Sequence, residues 1–366
     1  MSRNDKARRV RHPRFRVLAD GVPVQGALEL HQISTDHFAP DRFHIRLFRE
    51  SAPDWEHDCL LIRDGAVLDL QLSLDGDDDY VSLLVGKGDA LCYDHNARTV
   101  RIDGRNLAGL LQDTPANDVF SNLTSSEIAT AVALRHGLVP VAMPTLTFAG
   151  RLYNNDAVQI ASNQFNRGST EWDLLAFLAR CENFELFVSG TQLYFQPSLL
   201  VTGPAFALTP DDVIELRLRR RLTMSGDIQV SVKSWNSRQS VAVVETATSR
   251  RTDLQGLFSS IWSTTPMRYS LVQPNLSVEE AARLATSRVE ELTRHEIGVE
   301  ITMPGELQMT TRSVFALQGT NSLFDQLYKI DAIERTIGGK AGFVQHISAH
   351  SVSSRQTFLA SSLEPA

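Results

Sequence analysis

The sequence has few of the features that disulfide-rich, exported or nucleic-acid-binding proteins need. Its three cysteines, Cys59, Cys92 and Cys181, show no CxxC spacing, so we expect no disulfide framework and synthesis in a reducing cytoplasm. It lacks the run of about 18 apolar residues that a membrane span requires, and its start lacks a signal-peptide core, so neither anchor nor cleaved signal is expected. The net charge of -7 argues against a general nucleic-acid binder.

Motifs for catalysis are also missing. Gly338-Gly339-Lys340 lacks the spacing of a phosphate loop and the hydroxyl residue that holds magnesium. His295-Glu296 does not continue into HExxH, because Val299 occupies the place of the second histidine. No serine lies in a GxSxG turn. The sequence therefore disfavours a P-loop NTPase, a zinc protease and a serine hydrolase.

Two groups of possible metal ligands have simpler interpretations. His346 and His350 share a strand face with Ser348, but no carboxylate or cysteine accompanies them as zinc ligands usually require. The second group is Asp75, Asp77, Asp78 and Asp79. It resembles part of a calcium loop without the distal glutamate, and a solvated hairpin tip is favoured. We predict no catalytic, cofactor-binding or metal-binding residue, although a glycosidase carboxylate pair leaves no spacing signature.

The N-terminal 16 residues are strongly basic and hold one acid, Asp5. The cations are Arg3, Lys6, Arg8, Arg9, Arg11, Arg14 and Arg16. Such a run is usually a solvated arm, and the alternative is an arm laid against a neighbouring subunit.

A region of alternating apolar and polar residues follows this arm. Phe43, Ile45 and Leu47, for example, alternate with His44 and Arg46. Further strands are expected at 15–17, 27–33, 68–74, 80–85 and 100–102, with turns at 20–21, 64–65, 75–79 and 94–96. Half a dozen short antiparallel strands with one apolar face indicate a barrel or sandwich.

The middle of the chain is built around residues 169–197. Ser169 or Thr170 can cap a helix, with Asp173 three residues past Thr170 able to reach back to the free amides, and Trp172 begins the apolar face of that helix. A hairpin is predicted from the strands 184–188 and 193–195, the turn 189–191 and the final Pro197. We interpret these side chains as hydrophobic core, with no catalytic role. Before them come a short helix at 106–112, a helix capped by Thr124-Ser-Ser-Glu127 and ended by Gly137, and a stretch, 140–165, without assignment.

Strands resume after Pro204. They are predicted at 214–218, 228–232, 241–245, 298–301, 312–317, 327–336 and 343–352. A helix at 277–293 is capped by Ser277 and Glu280, and the polar stretch 246–275 suggests an exposed excursion. We therefore predict a mainly β fold with an α+β insert, divided into 1–113, 114–204 and 205–366.

Four passages carry a resemblance to a known family: PRFRVLADGVPV, VSLLVGKGDALCYDHNARTVRIDGRNLAGLLQD, STEWDLLAFLARCENFELFVSGTQLYFQP and YKIDAIERTIGGKAGFVQHISAHSV. They resemble the baseplate hub proteins of phage tails, the late control protein D family, which are similar to the Mu-like tail hub and to the N-terminal part of the type VI secretion spike protein. The second passage carries Gly86, Gly104 and a helix ending in Asp113. The match is weakest at 140–165 and 246–275.

The resemblance implies a structural protein without enzymatic activity or cofactor. Family members form homotrimers in which each subunit supplies two tail-tube-like β-barrels, so six similar barrels face the hexameric tail tube and a threefold spike lies below. It also implies other baseplate proteins as partners, a virion tail location, and DNA that only passes through the central channel. Needle or lytic domains of spike-type relatives are expected on separate proteins. The alternatives are a tail-associated peptidoglycan-degrading enzyme and, more weakly, a carbohydrate-binding tail module.

Overall fold

The fold is described from a computed structural model of the chain. The described residues are 12–35, 38–48, 65–74, 79–146, 148–153, 157–161, 170–197, 206–221, 227–236, 241–250, 267–274, 276–294, 296–338, 342–352 and 356–361.

The first β region contains seven strands. They are β1 (Arg14–Ala19), β2 (Val22–Val24), β3 (Ala27–Thr35), β4 (Arg42–Phe48), β5 (Leu68–Ser73), β6 (Val81–Asp94) and β7 (Thr99–Asn106). The β1–β2 turn is the predicted Asp20-Gly21, where both residues have positive φ, as a two-residue hairpin turn requires. Buried and outward side chains alternate along β4, as the sequence predicts.

The middle region combines three helices with six short strands. Its elements are α1 (Ala108–Asp113), β8 (Val119–Ser121), α2 (Ser125–Arg135), β9 (Val139–Ala142), β10 (Arg151–Tyr153), β11 (Ala157–Ala161), α3 (Glu171–Glu182), β12 (Phe184–Ser189) and β13 (Gln192–Pro197). The predicted capping boxes at Thr124 and Thr170 are both formed, and Asn183 ends α3 in a left-handed conformation.

The second β region closes the chain. Its elements are β14 (Phe206–Leu208), a 3-10 turn (Pro210–Asp212), β15 (Glu215–Arg220), β16 (Ile228–Asn236), β17 (Val241–Arg250), β18 (Met267–Val272), α4 (Val278–Thr293), β19 (Ile297–Pro304), β20 (Val314–Leu317), β21 (Leu327–Gly338), β22 (Phe343–Ser351) and β23 (Gln356–Ser361). The predicted cap at Ser277 starts α4.

Strands from both β regions form one hydrogen-bonded sheet. Its order is β15-β19-β22-β21-β3-β4-β7-β6-β5-β1-β2, with β20 also paired to β21 and β14 to β20. The seam between the regions is the antiparallel β21–β3 pair, in which Glu334 lies opposite Ile33. A separate sheet, β18-β16-β17-β23, packs against α4. The predicted mainly β fold class is confirmed.

The described residues form four hydrophobic cores. The first core belongs to β1–β7 but also contains Ile337 and Phe343, which come from β21 and β22. The middle core is formed by α1, α2, α3 and the β12–β13 hairpin, the second core by β14–β15 and β19–β22, and a fourth by α4 on β16 and β17. The first core is therefore completed by residues more than 200 positions later in the chain.

The structure contains the strands β8, β14, β18 and β23, which the sequence analysis did not predict, and it differs further in two stretches. The unassigned stretch 140–165 contains most of β9, together with β10 and β11, strands too short to show a period. The expected excursion at 246–275 is wrong at both ends, because β17 continues to Arg250 with Thr246 and Ser249 buried, and because residues 267–272 form β18, which pairs with β16. The hydroxyl of Thr246 lies 3.1 Å from that of Ser231 on the neighbouring strand β16. These small polar side chains therefore pack inside the sheet and do not mark an exposed loop. Residues 251–266 lie outside the described residues.

Two of the glycines of the hub-like passage, Gly86 and Gly104, are required by close contact between β6 and β7. A Cβ on Gly86 would lie 2.2 Å from the carbonyl oxygen of Arg105. A Cβ on Gly104 would lie 2.3 Å from the Lys87 oxygen and 2.3 Å from Cζ of Phe43. Glycine therefore allows the strands to pair tightly over a buried aromatic ring.

Candidate functional site

The candidate site is a cavity of about 120 Å³ where the three regions meet. Its walls include Ser34, Thr35 and Asp41 of the first β region, residues 186–190 of the hairpin, and Arg312 and Arg335 of the second β region. We call this cavity and its walls the junction. It lies beside the β21–β3 seam, so the middle region rests across the line where the two β regions join.

The β12–β13 hairpin can reach the junction because its two faces bury different residues. Leu186, Val188, Leu193 and Phe195 point into the middle core. The alternate residues of the hairpin point outward, as the twofold period of a strand requires. The sequence interpretation assigned all these side chains to the core, and it is wrong for the outward face.

The outward face makes a layered contact with the second β region. The Phe187 and Tyr194 rings stack with centroids 4.5 Å apart, and the guanidinium carbon of Arg312 lies 3.1 Å from the Phe187 centroid. On the same face of the hairpin, Glu185 accepts a hydrogen bond from Nζ of Lys329 at 3.0 Å, and its carboxylate lies 3.7 Å from Nε of Arg312. A cation over an aromatic face and a mostly buried ion pair therefore hold the hairpin in place.

Asp41 is the one carboxylate among the cavity's lining residues. Burial raises the pKa of its carboxyl to about 6, although attraction from Arg312, hydrogen bonds from the Ser34 side chain and the Thr35 backbone, and attraction from Arg335 all lower it. Desolvation therefore exceeds the stabilisation that the surrounding groups give to the charged form.

Arg335 is the buried cation of the junction and is 5% exposed. Burial lowers the pKa of its guanidinium to about 10, while Asp41 and Glu306 raise it. Its Nη2 donates to the carbonyl oxygen of Met309 and its Nη1 to Oε1 of Gln32 at 3.4 Å. The guanidinium thus ties β21 to a loop of its own region and to β3 across the seam.

Trp172 anchors the middle region to the first β region. Its ring is 3% exposed, and its indole N–H donates a 2.6 Å hydrogen bond to the carbonyl oxygen of Phe38. The Phe38 ring in turn lies 5.0 Å from the guanidinium carbon of Arg180 on α3. The predicted burial of Trp172 is confirmed, and its polar atom has a function in docking that the sequence pattern did not reveal.

A second surface is the outer sheet face, the side chains of β15, β19, β22, β21, β3, β4 and β7 that point away from the first and second cores. Its polar contacts are Arg219–Glu300, Thr302–His346, His31–Glu334, Glu29–Arg46, His44–Asp103 and Arg101–Asp103. The rings of His31 and His44 stack 5.6 Å apart. Exposed pairs of this kind add little stability, but they leave these charges locally neutralised.

The structure does not bring the candidate metal ligands of the sequence together. His346 contacts Thr302 on the outer sheet face, whereas His350 is buried and its Nδ1 lies 2.7 Å from Oδ1 of Asp331. Asp75, Asp77, Asp78, His295, Gly339 and Lys340 lie outside the described residues. Within the described part of the chain, no group of three metal-ligating side chains occurs and no helix is long and apolar enough to cross a membrane.

The junction was not found from the sequence because its residues come from distant segments. Asp41 and Arg335 each stand among ordinary strand residues, and no spacing connects them. The available signal was the outward alternation of Glu185, Phe187 and Tyr194, three large side chains on a face that a simple hairpin would leave to solvent. The cavity offers a single carboxylate, whereas glycoside hydrolysis uses two. The charged groups of the cavity, Asp41 of the first β region and Arg312 and Arg335 of the second, instead form an electrostatic contact between these two regions.

Comparison with known proteins gives matches in structure alone. No family model and no curated protein matches the sequence. A tail protein from Neisseria meningitidis has a TM-score of 0.68 at 12% identity, over 93% of this chain and 97% of that one. The 43 kDa tail protein of prophage MuSo2 from Shewanella oneidensis has a TM-score of 0.66 at 16% identity, over 92% and 97%.

The similarity extends to secretion machinery. An Escherichia coli component of the type VI secretion system, described as structurally similar to the T4 phage tail proteins gp27 and gp5, has a TM-score of 0.54 at 13% identity, over 92% of this chain and 77% of that one. The chain therefore has the fold shared by phage tail proteins and components of type VI secretion systems.

Proposed function

We propose that the protein is a structural hub in the baseplate of a phage tail or phage-like particle, of the late control protein D type. The single observation that carries this proposal is the fold match along nearly the whole length of both this chain and the Neisseria tail protein. Two further observations support it. The mostly buried pair of Glu185 with Lys329 joins the middle region to the second β region, and the cavity at the junction has one carboxylate where a glycosidase would have two.

The proposed assembly is a homotrimer. Three copies, each with two β regions, give six similar β units that match the hexameric tail tube on one side and a threefold spike or needle on the other. In this proposal the chain divides into 1–113, 114–204 and 205–366, and other baseplate proteins surround the ring. The continuous sheet supports the idea, since it fixes the two β regions of one copy side by side.

We assign the wall of the central channel to the outer sheet face. Proteins bind DNA strongly when clustered cations replace counterions on the phosphates. On the outer sheet face, Arg46, Arg101 and Arg219 each contact a carboxylate, so they attract phosphates less than unpaired arginines would. A wall of this kind suits DNA that passes through without binding.

Structure determination of assembled particles by cryo-electron microscopy tests this proposal. We expect three copies in a ring between the tail tube and the spike, with the outer sheet face toward the axis. A different copy number, or a position outside the baseplate, would contradict it. The assembled particle is the appropriate sample, because isolated subunits of such assemblies can be monomeric before they meet their partners.

Incubation of the purified protein with peptidoglycan tests the enzymatic alternative. A structural hub releases no muropeptides and causes no fall in turbidity, whereas a lytic enzyme does both. Clearing that disappears on changing one Asp or Glu would overturn the proposal. A known lysozyme in the same assay serves as the positive control.

A further inference from the structure

The junction contains a titratable group whose surroundings depend on docking of the hairpin. Asp41 lies between β3 and β4 of the first β region, whereas Leu186, Phe187 and Val188 of the hairpin form another part of the cavity wall. Docking of the hairpin closes this part of the wall, and so it excludes water from the space that the carboxylate lines. The charged form of Asp41 is then stabilised only by the neighbouring hydrogen-bond donors and cations, and no longer by water.

We propose that the junction is a proton-linked joint, in which docking of the β12–β13 hairpin across the seam favours uptake of one proton by Asp41. By linkage, acidification must then stabilise the docked state. The inference concerns the isolated chain, so it stands or falls independently of the proposed role in a tail.

The charges that face Asp41 are few. Arg312 and Arg335 are the other two ionisable side chains of the cavity's lining, and both favour charged Asp41. Outside the lining, Glu185 lies beside Arg312 and is paired with Lys329, and Glu306 faces Arg335. The arginines are positive throughout the range in which a carboxyl titrates, so Asp41 is the lining group whose charge changes between neutral and mildly acidic pH.

The sign follows from the direction of the shift. Burial raises the pKa of Asp41 from 3.8 to about 6, so the docked form binds more protons than the undocked form between these values. Docking therefore strengthens as the pH falls through about 6, and the gain is complete below 3.8. Above pH 6 the carboxylate stays charged and the joint is at its weakest.

Hydrogen exchange of the hairpin amides in the full-length protein tests this joint. We expect protection of residues 184–197, corrected for intrinsic exchange, to be about tenfold greater at about pH 5 than at about pH 7.5, from the two pKa values. In Asp41→Asn the protection should be the same at both pH values. Asp211→Asn, a change at an exposed carboxylate on the 3-10 turn, should behave as the wild type.

A second variant keeps the test decisive if Asp41→Asn fails to fold. Arg312→Gln removes the cation that lowers the Asp41 pKa most, so the pH at which protection changes should move upward. Equal protection at both pH values in the wild type, weaker protection in acid, or an unchanged midpoint in Arg312→Gln would overturn the inference.

Discussion

Single side chains connect the three regions, and Trp172 is the largest of them that is almost fully buried. We predict that Trp172→Ala lowers the free energy of unfolding by about 3–5 kcal/mol, because truncating a buried aromatic removes apolar contacts and leaves a cavity. The lost hydrogen bond to Phe38 adds to the cost. Denaturant unfolding followed by circular dichroism measures the change.

Trp235→Ala is the matched control for this prediction. Trp235 is 52% exposed, so its truncation should cost much less than that of Trp172, which is 3% exposed. Equal losses in the two variants would contradict the assignment of Trp172 to a docking core.

The contact between Arg312 and Phe187 is a second prediction at the scale of residues. In a double-mutant cycle with Arg312→Gln and Phe187→Leu, we expect a coupling energy of about 0.5–2 kcal/mol, the range for a cation over an aromatic face. Arg312→Lys keeps the charge but loses the planar guanidinium, and should recover part of the coupling. Additive effects of the two changes would show that the stack contributes nothing beyond burial.

At the scale of elements, the pairing of β6 with β7 depends on Gly104. Gly104→Ala should lower the free energy of unfolding by about 1–3 kcal/mol, because its methyl group collides with the Lys87 backbone and the buried Phe43 ring. Gly298→Ala on β19 is the control, since its nearest neighbour, the Ala349 oxygen, lies at an ordinary 3.4 Å. Thermal unfolding of both variants measures the difference, and an undisturbed midpoint in Gly104→Ala would contradict the close approach.

At the scale of the whole molecule, the β21–β3 seam makes the first β region dependent on the end of the chain. We predict that a fragment of residues 1–113 does not fold by itself. It lacks β21 as the partner of β3, and its core lacks Ile337 and Phe343. Proton NMR of the fragment should show little chemical-shift dispersion, and heat should produce no cooperative transition. A dispersed spectrum with a sharp transition would show that the region is an independent domain.

Much of the local structure could be predicted from sequence. The capping boxes at Thr124, Thr170 and Ser277 start helices where expected, because a cap uses side chains within three residues of the amides that it satisfies. The strands with clear alternation were also found, since the twofold period is a local property. The short strands β9, β10 and β11 were missed because each has too few residues for an alternation of apolar and polar side chains to be recognised.

What the sequence by itself determined is therefore the capped helices, the strands with clear alternation, the mainly β class and, through four passages, the resemblance to tail hubs. Tertiary structure alone decided how these elements combine. The β21–β3 seam, the completion of the first core by Ile337, and the meeting of Asp41 with Arg312 and Arg335 join residues separated by hundreds of positions. No local pattern encodes such contacts, because strand pairing and desolvation depend on which surfaces meet after folding. The raised pKa of Asp41 and the docking face of the hairpin exist only once those surfaces are in contact.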